Sequence, residues 1–179
     1  MNSGSEGVEL GTRHPLVGEH VTYANSEPGA EWFARPDNDT GKPGLSFSCT
    51  MCGNCCSGDG GYVLFTDAES KALAARLGVT VSEFLDRYTH DTIAGRSLRE
   101  KKSESGYECI FLDRNSIPGK GVCGVYEVRP MQCRTWPFWR SNLAGPWSWA
   151  NAAKTCPGLN SGRRYSVQEI RVLREKVDM

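Results

Sequence analysis

The segment FSCTMCGNCC, residues 47–56, restricts the possible folds of this chain more than any other feature. It carries four cysteines close together: Cys49, Cys52, Cys55 and Cys56. The first three form C-x-x-C-x-x-C, in which the two intervening residues let the backbone turn tightly enough for successive thiolates to converge on one ion or one cluster face. Gly53 and Asn54 tolerate the left-handed backbone that such a turn needs. The segment therefore predicts a metal site.

Four further cysteines lie much later in the chain: Cys109, Cys123, Cys133 and Cys156. They fall on a predicted strand, a hairpin, a helix start and a loop, where a metal-organised fold could supply them. Eight thiolates also divide naturally into two sites of four sulfurs. Pro157 follows Cys156, as a proline follows the last cysteine of bacterial ferredoxins, although that cysteine normally lies only a few residues beyond the first three. Cys109, beside Ile110 and Phe111, could instead be a small buried apolar residue.

The compartment and the partners are constrained by what the sequence lacks. The N-terminal sequence has no apolar core of a secretory signal, and its apolar runs are far shorter than the roughly 20 residues of a membrane span. We therefore expect a cytoplasmic protein with reduced thiols and no membrane partner, which favours metal over disulfides. A secreted disulfide-bonded domain is the alternative, but adjacent Cys55 and Cys56 cannot easily pair with each other. Lys plus Arg and Asp plus Glu both number 21, which gives no support for a nucleic-acid partner.

The predicted fold class is α+β: a small, irregular, metal-organised domain with short antiparallel strands, an αα-hairpin and a C-terminal helix. Residues 1–44 are polar and rich in Gly and Pro, so we predict a poorly ordered or draped N-terminal arm, followed by a single cysteine-cluster domain over residues 45–179. Capping boxes at Thr66 and Thr80 start the two helices of the αα-hairpin, and a third at Ser166 starts the C-terminal helix.

The strands are less strongly signalled than the helices. Residues 62–65 and 107–112 are apolar, aromatic or β-branched and predict strands, and residues 122–126 predict the partner of the second strand in a hairpin. Residues 95–102, a basic run interrupted by Glu100, predict a solvated loop. Residues 134–151 read as aromatic and irregular, and their rings could pack in the core, shield a metal cluster or line a groove.

A buried thiolate site also needs compensating charge. A site of four thiolates around zinc or a cubane carries about two negative charges, which is costly to bury without a counter-charge. Basic residues stand near two of the later cysteines: Arg129, Arg134 and Arg140 near Cys133, and Lys154 near Cys156. They are consistent with an anionic centre.

Several segments together resemble the bacterial cysteine-cluster family of zinc- or iron-chelating proteins, whose hallmark is C-x-x-C-x-x-C-C: FSCTMCGNCC, YVLFTDAE, LGVTVSEF, CIFLD and CGVYEVRPMQCRTWPF. The resemblance covers roughly residues 45–157. It implies that Arg129, Pro130 and Arg134 support the site, and that all eight cysteines are metal ligands: Cys49, Cys52, Cys55, Cys56, Cys109, Cys123, Cys133 and Cys156. One relative within the family, the flagellin lysine methylase, looks like an iron–sulfur enzyme that works with S-adenosylmethionine, but no segment of this chain marks a methyl-donor site.

Three functions from different classes stay open. In the first, the cysteines hold an iron–sulfur cluster or clusters, for electron transfer or as part of an oxidoreductase or methyltransferase-type system. The alternative is a structural zinc-binding module used for protein–protein interaction. In the third, Cys55 or Cys56 is a free nucleophile of a redox enzyme or thiol sensor. The sequence assigns no catalytic residue: its three histidines read as surface residues, and no Ser-His-Asp or H-E-x-x-H pattern occurs.

Overall fold

The computed structural model describes residues 31–38, 40–104 and 106–177. Six α-helices occur in these ranges: α1 (Asp67–Leu77), α2 (Val81–Tyr88), α3 (Met131–Thr135), α4 (Arg140–Leu143), α5 (Pro146–Thr155) and α6 (Val167–Arg174). The strands in the same ranges are β1 (Leu45–Phe47), β2 (Ser57–Gly58), β3 (Thr89–Thr92), β4 (Gly95–Leu98), β5 (Glu100–Ser103), β6 (Gly106–Cys109), β7 (Leu112–Asp113), β8 (Val122–Cys123) and β9 (Leu159–Tyr165).

The strands form four small antiparallel sheets within the described ranges. Strands β2, β6 and β5 make a three-stranded sheet, while β1 pairs with β9, β3 with β4 and β7 with β8. The combination of helices with short antiparallel strands confirms the predicted α+β class. Among the described residues, no helix has the length and apolar character that crossing a bilayer requires.

The helix starts lie where the capping boxes predict them. Thr66 Oγ1 accepts a hydrogen bond from the Glu69 backbone N–H at 3.2 Å, and the Glu69 carboxylate accepts one from the Thr66 N–H at 2.7 Å. The same reciprocal pair forms at the N-termini of α2 and α6. Gly78, with a φ of 69°, ends α1 in the left-handed conformation. Helices α1 and α2 then pack against each other, which confirms the αα-hairpin.

The described residues bury two separate apolar clusters. The first, which we call the hairpin core, lies under α1 and α2 and consists of Leu73, Ala74, Phe84, Leu98, Phe111 and Val125. The second, the carboxy-terminal core, lies among β1, β9 and the last helices and consists of Phe33, Leu45, Phe138, Leu143, Trp149, Ala152, Cys156, Leu159 and Ile170. Segments that carry cysteines pack against both cores, so the folding of each core fixes part of the cysteine arrangement.

The predicted N-terminal arm, residues 1–44, is only partly described, since residues 1–30 lie outside the described ranges. Its last part contacts the body: residues Trp32–Ala34 form a 3-10 helix, and Phe33 is buried in the carboxy-terminal core. The Glu31 carboxylate receives the guanidinium groups of Arg171 and Arg174 on α6, each at 2.6 Å. The boundary between arm and domain stays a prediction.

Four local predictions differ from the structure. Residues 107–112, predicted as one strand, are divided between β6 and β7, and residues 110 and 111 lie between the two strands. Residues 95–102 form β4 and most of β5 instead of a loop. Residues 62–65, predicted as a strand, make a single bridge, Leu64 to Ser97. The Val63 and Leu64 N–H groups donate to the side chains of Ser97 and Gln132 at 2.9 Å, and not to the backbone of a neighbouring strand. Helix α5, with Pro146 in its first turn, occupies part of the segment that was predicted to be irregular.

Candidate metal centre

One cavity, which we call the cysteine cavity, has a volume of about 240 Å³ and is lined by every cysteine of the chain: Cys49, Cys52, Cys55, Cys56, Cys109, Cys123, Cys133 and Cys156. All eight are free thiols, and none forms a disulfide. The fold therefore brings the late cysteines to the same place as the early cluster, although the residues at the two ends of this set are about a hundred positions apart in the sequence.

Several elements of the fold each supply one or two thiols. Cys49 and Cys52 lie in the turn after β1, and Cys55 and Cys56 lie in the short 3-10 helix Asn54–Cys56. The later thiols come from four other elements: Cys109 from the end of β6, Cys123 from the end of β8, Cys133 from α3 and Cys156 from the residue that caps the C-terminus of α5. No single element could hold this arrangement alone.

The turn that carries the first four cysteines depends on two glycines. Gly53 has a φ of 77°, the left-handed region that glycine adopts without strain. Gly121, from the segment before β8, packs directly on it: a Cβ atom at Gly121 would lie 2.6 Å from the Gly53 Cα. The Gly121 N–H donates to the Met51 carbonyl at 2.6 Å and closes this contact. The β7–β8 hairpin and the cysteine turn therefore meet backbone to backbone.

Hydrogen bonds between side chains and backbone carbonyl groups also hold the cysteine turn in place. Lys120 donates to the Thr50 carbonyl at 3.1 Å, and Asn54 donates to the Thr155 carbonyl at the end of α5 at 2.6 Å. Sequence reasoning missed Lys120 as a residue that shapes the site. No pattern could have revealed it, because its partner is a backbone carbonyl that every residue possesses.

Arg114 ties the other end of the turn to the three-stranded sheet. Its Nε donates to the buried Glu108 carboxylate at 2.6 Å. Its terminal nitrogens reach the Cys52 carbonyl at 3.5 Å and the Ser57 hydroxyl at 3.3 Å. Glu108 is directly opposite Ser57 in the pairing of β2 with β6, so this one guanidinium joins strand pairing to cysteine placement. Arg114 was also missed by sequence reasoning.

Cys55 and Cys56 form a hydrogen-bonded thiol–thiolate pair, with their Sγ atoms 3.7 Å apart. The hydrogen bond from Cys56, helped by the Arg129 charge and opposed by burial, lowers the pKa of Cys55 to about 7. The same hydrogen bond, burial and the charges of neighbouring thiolates raise the pKa of Cys56. Cys55 therefore loses its proton more readily than Cys56.

The pKa values of three later thiols are raised, and burial is the first cause in each case. Burial and the charges of nearby thiolates raise the pKa of Cys109 to about 11 and that of Cys133 to about 12, and the pKa of Cys123 is raised as well. Arg129 acts in the opposite sense on Cys55, Cys123 and Cys133, because its positive charge lowers their pKa values. A cation among these thiols would relieve the mutual repulsion of their ionised forms.

Of the four predicted counter-charges, the structure places only Arg129 and Arg134 next to the thiols. Arg129 lines the cysteine cavity itself. Arg134 lies beside it, where its guanidinium donates to the Arg129 and Glu127 carbonyls. Arg140 pairs with Glu175, the residue that caps the C-terminus of α6, and Lys154 is exposed on α5.

The aromatic run divides between the cavity and the core. Trp136 and Trp139 cross edge to face with ring centroids 4.8 Å apart, and both line the cysteine cavity. Phe138 and Trp149 stack at 5.9 Å inside the carboxy-terminal core, whereas Trp147 is 73% exposed. Only the first two are placed to keep water away from a bound group.

The donor set and two polar atoms fit a sulfur-bound metal. Thiolates select zinc and iron–sulfur clusters over harder cations. Thr50 Oγ1 and Trp136 Nε1 are buried without a hydrogen-bond partner among the described residues, and both residues line the cysteine cavity. Buried polar atoms normally have partners, and sulfur atoms of a bound centre would accept from both. In the described ranges, however, no three Cys, His, Asp or Glu side chains stand close enough together to hold one ion. The thiols surround the space without converging on a point.

Residues 48–157, more than half of the chain, match the CxxCxxCC family model, described as "Putative zinc- or iron-chelating domain". The chain belongs to the CxxCxxCC family. This confirms the resemblance drawn from the sequence, and the matched range contains all eight cysteines that line the cysteine cavity. Metal binding, of zinc or iron, is the function that this membership supports.

A relative from Methanocaldococcus jannaschii, named as an uncharacterised protein, is 32% identical to this CxxCxxCC protein over 95 residues. The match covers 53% of this chain and 46% of the relative, so the chain spans about half of the relative's length. No solved structure matches the chain. The comparisons therefore extend the family assignment without adding an activity.

Proposed function

We propose that the eight cysteines hold an iron–sulfur cluster or clusters. The observation that carries this proposal is that all eight thiols line one cavity of about 240 Å³ without gathering at a single point. A lone zinc ion needs four ligands at about 2.3 Å from one centre. A cluster fills the space between thiolates with its own iron and sulfide atoms, so thiols spaced around a cavity suit a cluster better than they suit a single zinc ion.

The side chains around the cavity fit the needs of such a centre. When bound, a cluster supplies one-electron transfer at a potential set by its ligands, hydrogen bonds and solvent exposure. In this chain, Arg129 offsets negative charge on the thiolates, and Trp136 and Trp139 exclude water. The Thr50 hydroxyl and the Trp136 N–H are the donors that would hydrogen-bond to sulfur. Electron transfer, either alone or within an oxidoreductase or methyltransferase-type system, is the activity we propose for it.

A structural zinc site is the second candidate, and one distance favours it. Four thiolates arranged tetrahedrally at about 2.3 Å from zinc lie roughly 3.8 Å from one another. The Cys55 and Cys56 sulfurs are 3.7 Å apart, so this pair already has the spacing of two zinc ligands. In this case the domain would be a metal-stabilised scaffold for a protein partner. Both candidates require reduced thiols, so we propose a cytoplasmic location for either.

Metal analysis of the full chain separates the candidates. The protein is produced in iron-replete, zinc-supplemented cells, isolated without oxygen, and assayed for iron, acid-labile sulfide and zinc. We expect brown protein that absorbs near 400 nm and contains equal amounts of iron and sulfide. Colourless protein with stoichiometric zinc would overturn the iron–sulfur proposal and support the zinc module.

Thiol accessibility tests the third function predicted from the sequence, a free nucleophilic cysteine. The native protein is treated with iodoacetamide before and after incubation with a chelator, and the modified cysteines are identified by mass spectrometry. We expect all eight cysteines to resist modification until the metal is removed. Rapid modification of Cys55 alone in the metal-loaded protein would instead support a thiol enzyme or sensor.

A further inference from the structure

A second and larger concavity opens beside the cysteine cavity. It has a volume of about 640 Å³, and its lining includes Arg129, Arg134, Arg163, Trp136, Val172 and Leu173. We call it the arginine groove. This volume lies in the range of about 300–1,000 Å³ that is typical of small-molecule sites.

The arginine groove and the cysteine cavity share part of their walls. Cys49, Cys55, Cys133 and Trp136 line both. A molecule bound in the groove would therefore lie against one side of the metal centre. The groove itself is open to solvent, so a ligand could enter without disturbing the thiols on the opposite side of the cavity.

The groove carries an excess of positive charge. Three arginines line it, together with one carboxylate, Glu169, and this carboxylate is already paired with Arg163. The Arg129 guanidinium stacks 3.7 Å from the centroid of the Tyr126 ring, and its charge acts on the thiols.

Arg134 differs from the other two arginines of the groove, because Arg163 is paired with a carboxylate and Arg129 lowers the pKa values of thiols. Its guanidinium donates to two backbone carbonyls, those of Arg129 and Glu127. In the part of the chain that the structure describes, no carboxylate lies within ion-pair distance of it. A guanidinium has five N–H donors in a planar fork suited to carboxylate and phosphate, so two carbonyl contacts leave donors for an anion.

The rest of the wall is apolar. Helix α6 contributes Val172, which is 47% exposed, and Leu173, while Phe47 and Trp136 line the side next to the cysteines. Val172 and Trp136 line the same groove, so an apolar ligand bound there would remove part of their surface from water. The groove thus combines an anion-binding arginine with an apolar surface.

We propose that the arginine groove binds a small organic anion, in which a carboxylate or phosphate is held by Arg134 and an apolar body covers Trp136 and Val172. The bound molecule lies against Cys49 and Cys55, so its placement beside a metal centre rests on the proposed function. The binding itself does not, because the recognition groups are arginine and apolar side chains. The site would make this domain a ligand-binding metal protein and not a scaffold alone.

The test uses 8-anilinonaphthalene-1-sulfonate, a naphthyl sulfonate, as the probe. Its affinity for the full chain, isolated without oxygen, is measured by titration calorimetry, so that any protein colour does not interfere. We expect Arg134→Gln to weaken the probe's affinity about tenfold, as expected for the loss of a charge-assisted hydrogen bond. Arg134→Lys, which keeps the charge, should recover part of it. Val172→Asp, at the apolar wall, should weaken binding independently.

Arg76→Gln is the matched control, since Arg76 is an exposed arginine on α1 that does not line the groove. We expect it to bind the probe as the unmodified protein does. Competition by 4-phenylbutyrate and by phenyl phosphate then separates a carboxylate ligand from a phosphate ligand. Equal affinity in Arg134→Gln and the unmodified protein would overturn the proposal, and so would equal weakening in Arg134→Gln and Arg76→Gln.

Metal content, measured on the same samples, keeps this proposal separate from the proposed function. Val172→Asp should retain the metal of the unmodified protein, because Val172 lies on α6 and does not line the cysteine cavity. If Arg134→Gln loses metal and probe together while Val172→Asp keeps both, Arg134 supports the centre and the groove proposal is wrong. If the unmodified protein contains zinc and no iron but the variants bind the probe as expected, the groove stands and the iron–sulfur proposal fails.

Discussion

The hairpin core and the cysteine cavity are neighbours that obtain stability in opposite ways. Leu73 and Phe84 in the hairpin core are completely buried, and the apolar side chains around them fill the space between α1, α2 and β4. The cysteine cavity is instead an open volume of about 240 Å³ ringed by thiols. Apolar packing stabilises the first region, whereas family membership supports metal binding for the second.

The difference predicts where the folding energy resides. Apolar burial stabilises the hairpin core by roughly 1.5–3 kcal/mol for each large side chain. Burial raises the pKa values of Cys109, Cys123 and Cys133 and so opposes the ionised forms that bind metal. Metal binding would turn these residues into ligands, and its free energy would add to that of folding.

The largest effect should come from Cys133→Ser. Serine is nearly the same size, so the substitution leaves the packing of α3 unchanged but removes a soft ligand. We expect loss of metal and a fall in thermal stability to that of the metal-free protein, a change of several kcal/mol. Thermal unfolding with and without chelator, together with metal analysis, measures both. Addition of chelator should no longer affect the variant. A Cys133→Ser protein with full metal content and normal stability would contradict the ligand assignment.

Phe84→Ala should destabilise the protein in the other region. Phe84 is fully buried and contacts the rings of Phe65 and Tyr88 at centroid distances of 5.7 and 6.0 Å. Its removal should cost about 3–5 kcal/mol of unfolding free energy. Metal content per folded chain should not change at low temperature, in contrast to Cys133→Ser. Denaturant unfolding and metal analysis of the folded fraction test this. Metal loss equal to that of Cys133→Ser would show that the two regions do not fold independently.

The same contrast explains what could be predicted from the sequence. Helix starts at Thr66, Thr80 and Ser166 were found because each capping box lies within four residues. The eight cysteines were also visible as candidates, since cysteine is a rare residue, and they line one cavity; that they bind metal stays a prediction. Both signals can be recognised without knowledge of the tertiary contacts, because a capping box is local in the sequence and a cysteine is recognised by its chemistry.

The missed features depend on partners distant in sequence or on the backbone. Strand β4 is a strand because β3 pairs with it, and the sequence of residues 95–102 alone resembles a solvated loop. Arg114 and Lys120 shape the site by donating hydrogen bonds to backbone carbonyls. Every residue has a backbone carbonyl, so residue type does not reveal these contacts. The arginine groove is lined by residues of both α3 and α6, which are distant in the sequence, and neither helix carries a sequence motif for it.

The metal-free protein should respond to pH in the opposite sense to the metal-bound protein. Burial raises the pKa of Cys109 to about 11 and that of Cys133 to about 12, above an unfolded value of about 8.5–9. The folded state therefore holds more protons on these two thiols between these values, and the stability that they contribute is full below pH 9 and is lost as pH rises toward 12. Metal binding displaces protons from thiols, so the metal-bound protein should instead lose stability as pH falls.

Thermal unfolding of the metal-free and the metal-bound protein, measured between pH 5 and 11, tests whether their stabilities change with pH in opposite directions. Cys109→Ala in the metal-free protein is the control, since it removes one of the raised thiols and should flatten the loss of stability at alkaline pH. Metal-free protein that becomes more stable from pH 9 to 11 would show that the thiols of the cysteine cavity are not buried in its folded state.

The smallest effect concerns the backbone contact between the cysteine turn and the β7–β8 hairpin. A Cβ at Gly121 would lie 2.6 Å from the Gly53 Cα, closer than carbon atoms approach without a shift of the backbone. Gly121→Ala should therefore cost about 1–3 kcal/mol and weaken metal binding, because it pushes the turn that carries Cys52 away from Cys123. Gly124→Ala, in the same hairpin, is the matched control, since its Cβ would meet the Phe111 carbonyl at an ordinary 3.6 Å. Competition with a metal chelator ranks the two variants. Equal metal affinity in both would mean that the cavity tolerates movement of the turn, and that the thiols need no fixed spacing before the metal binds.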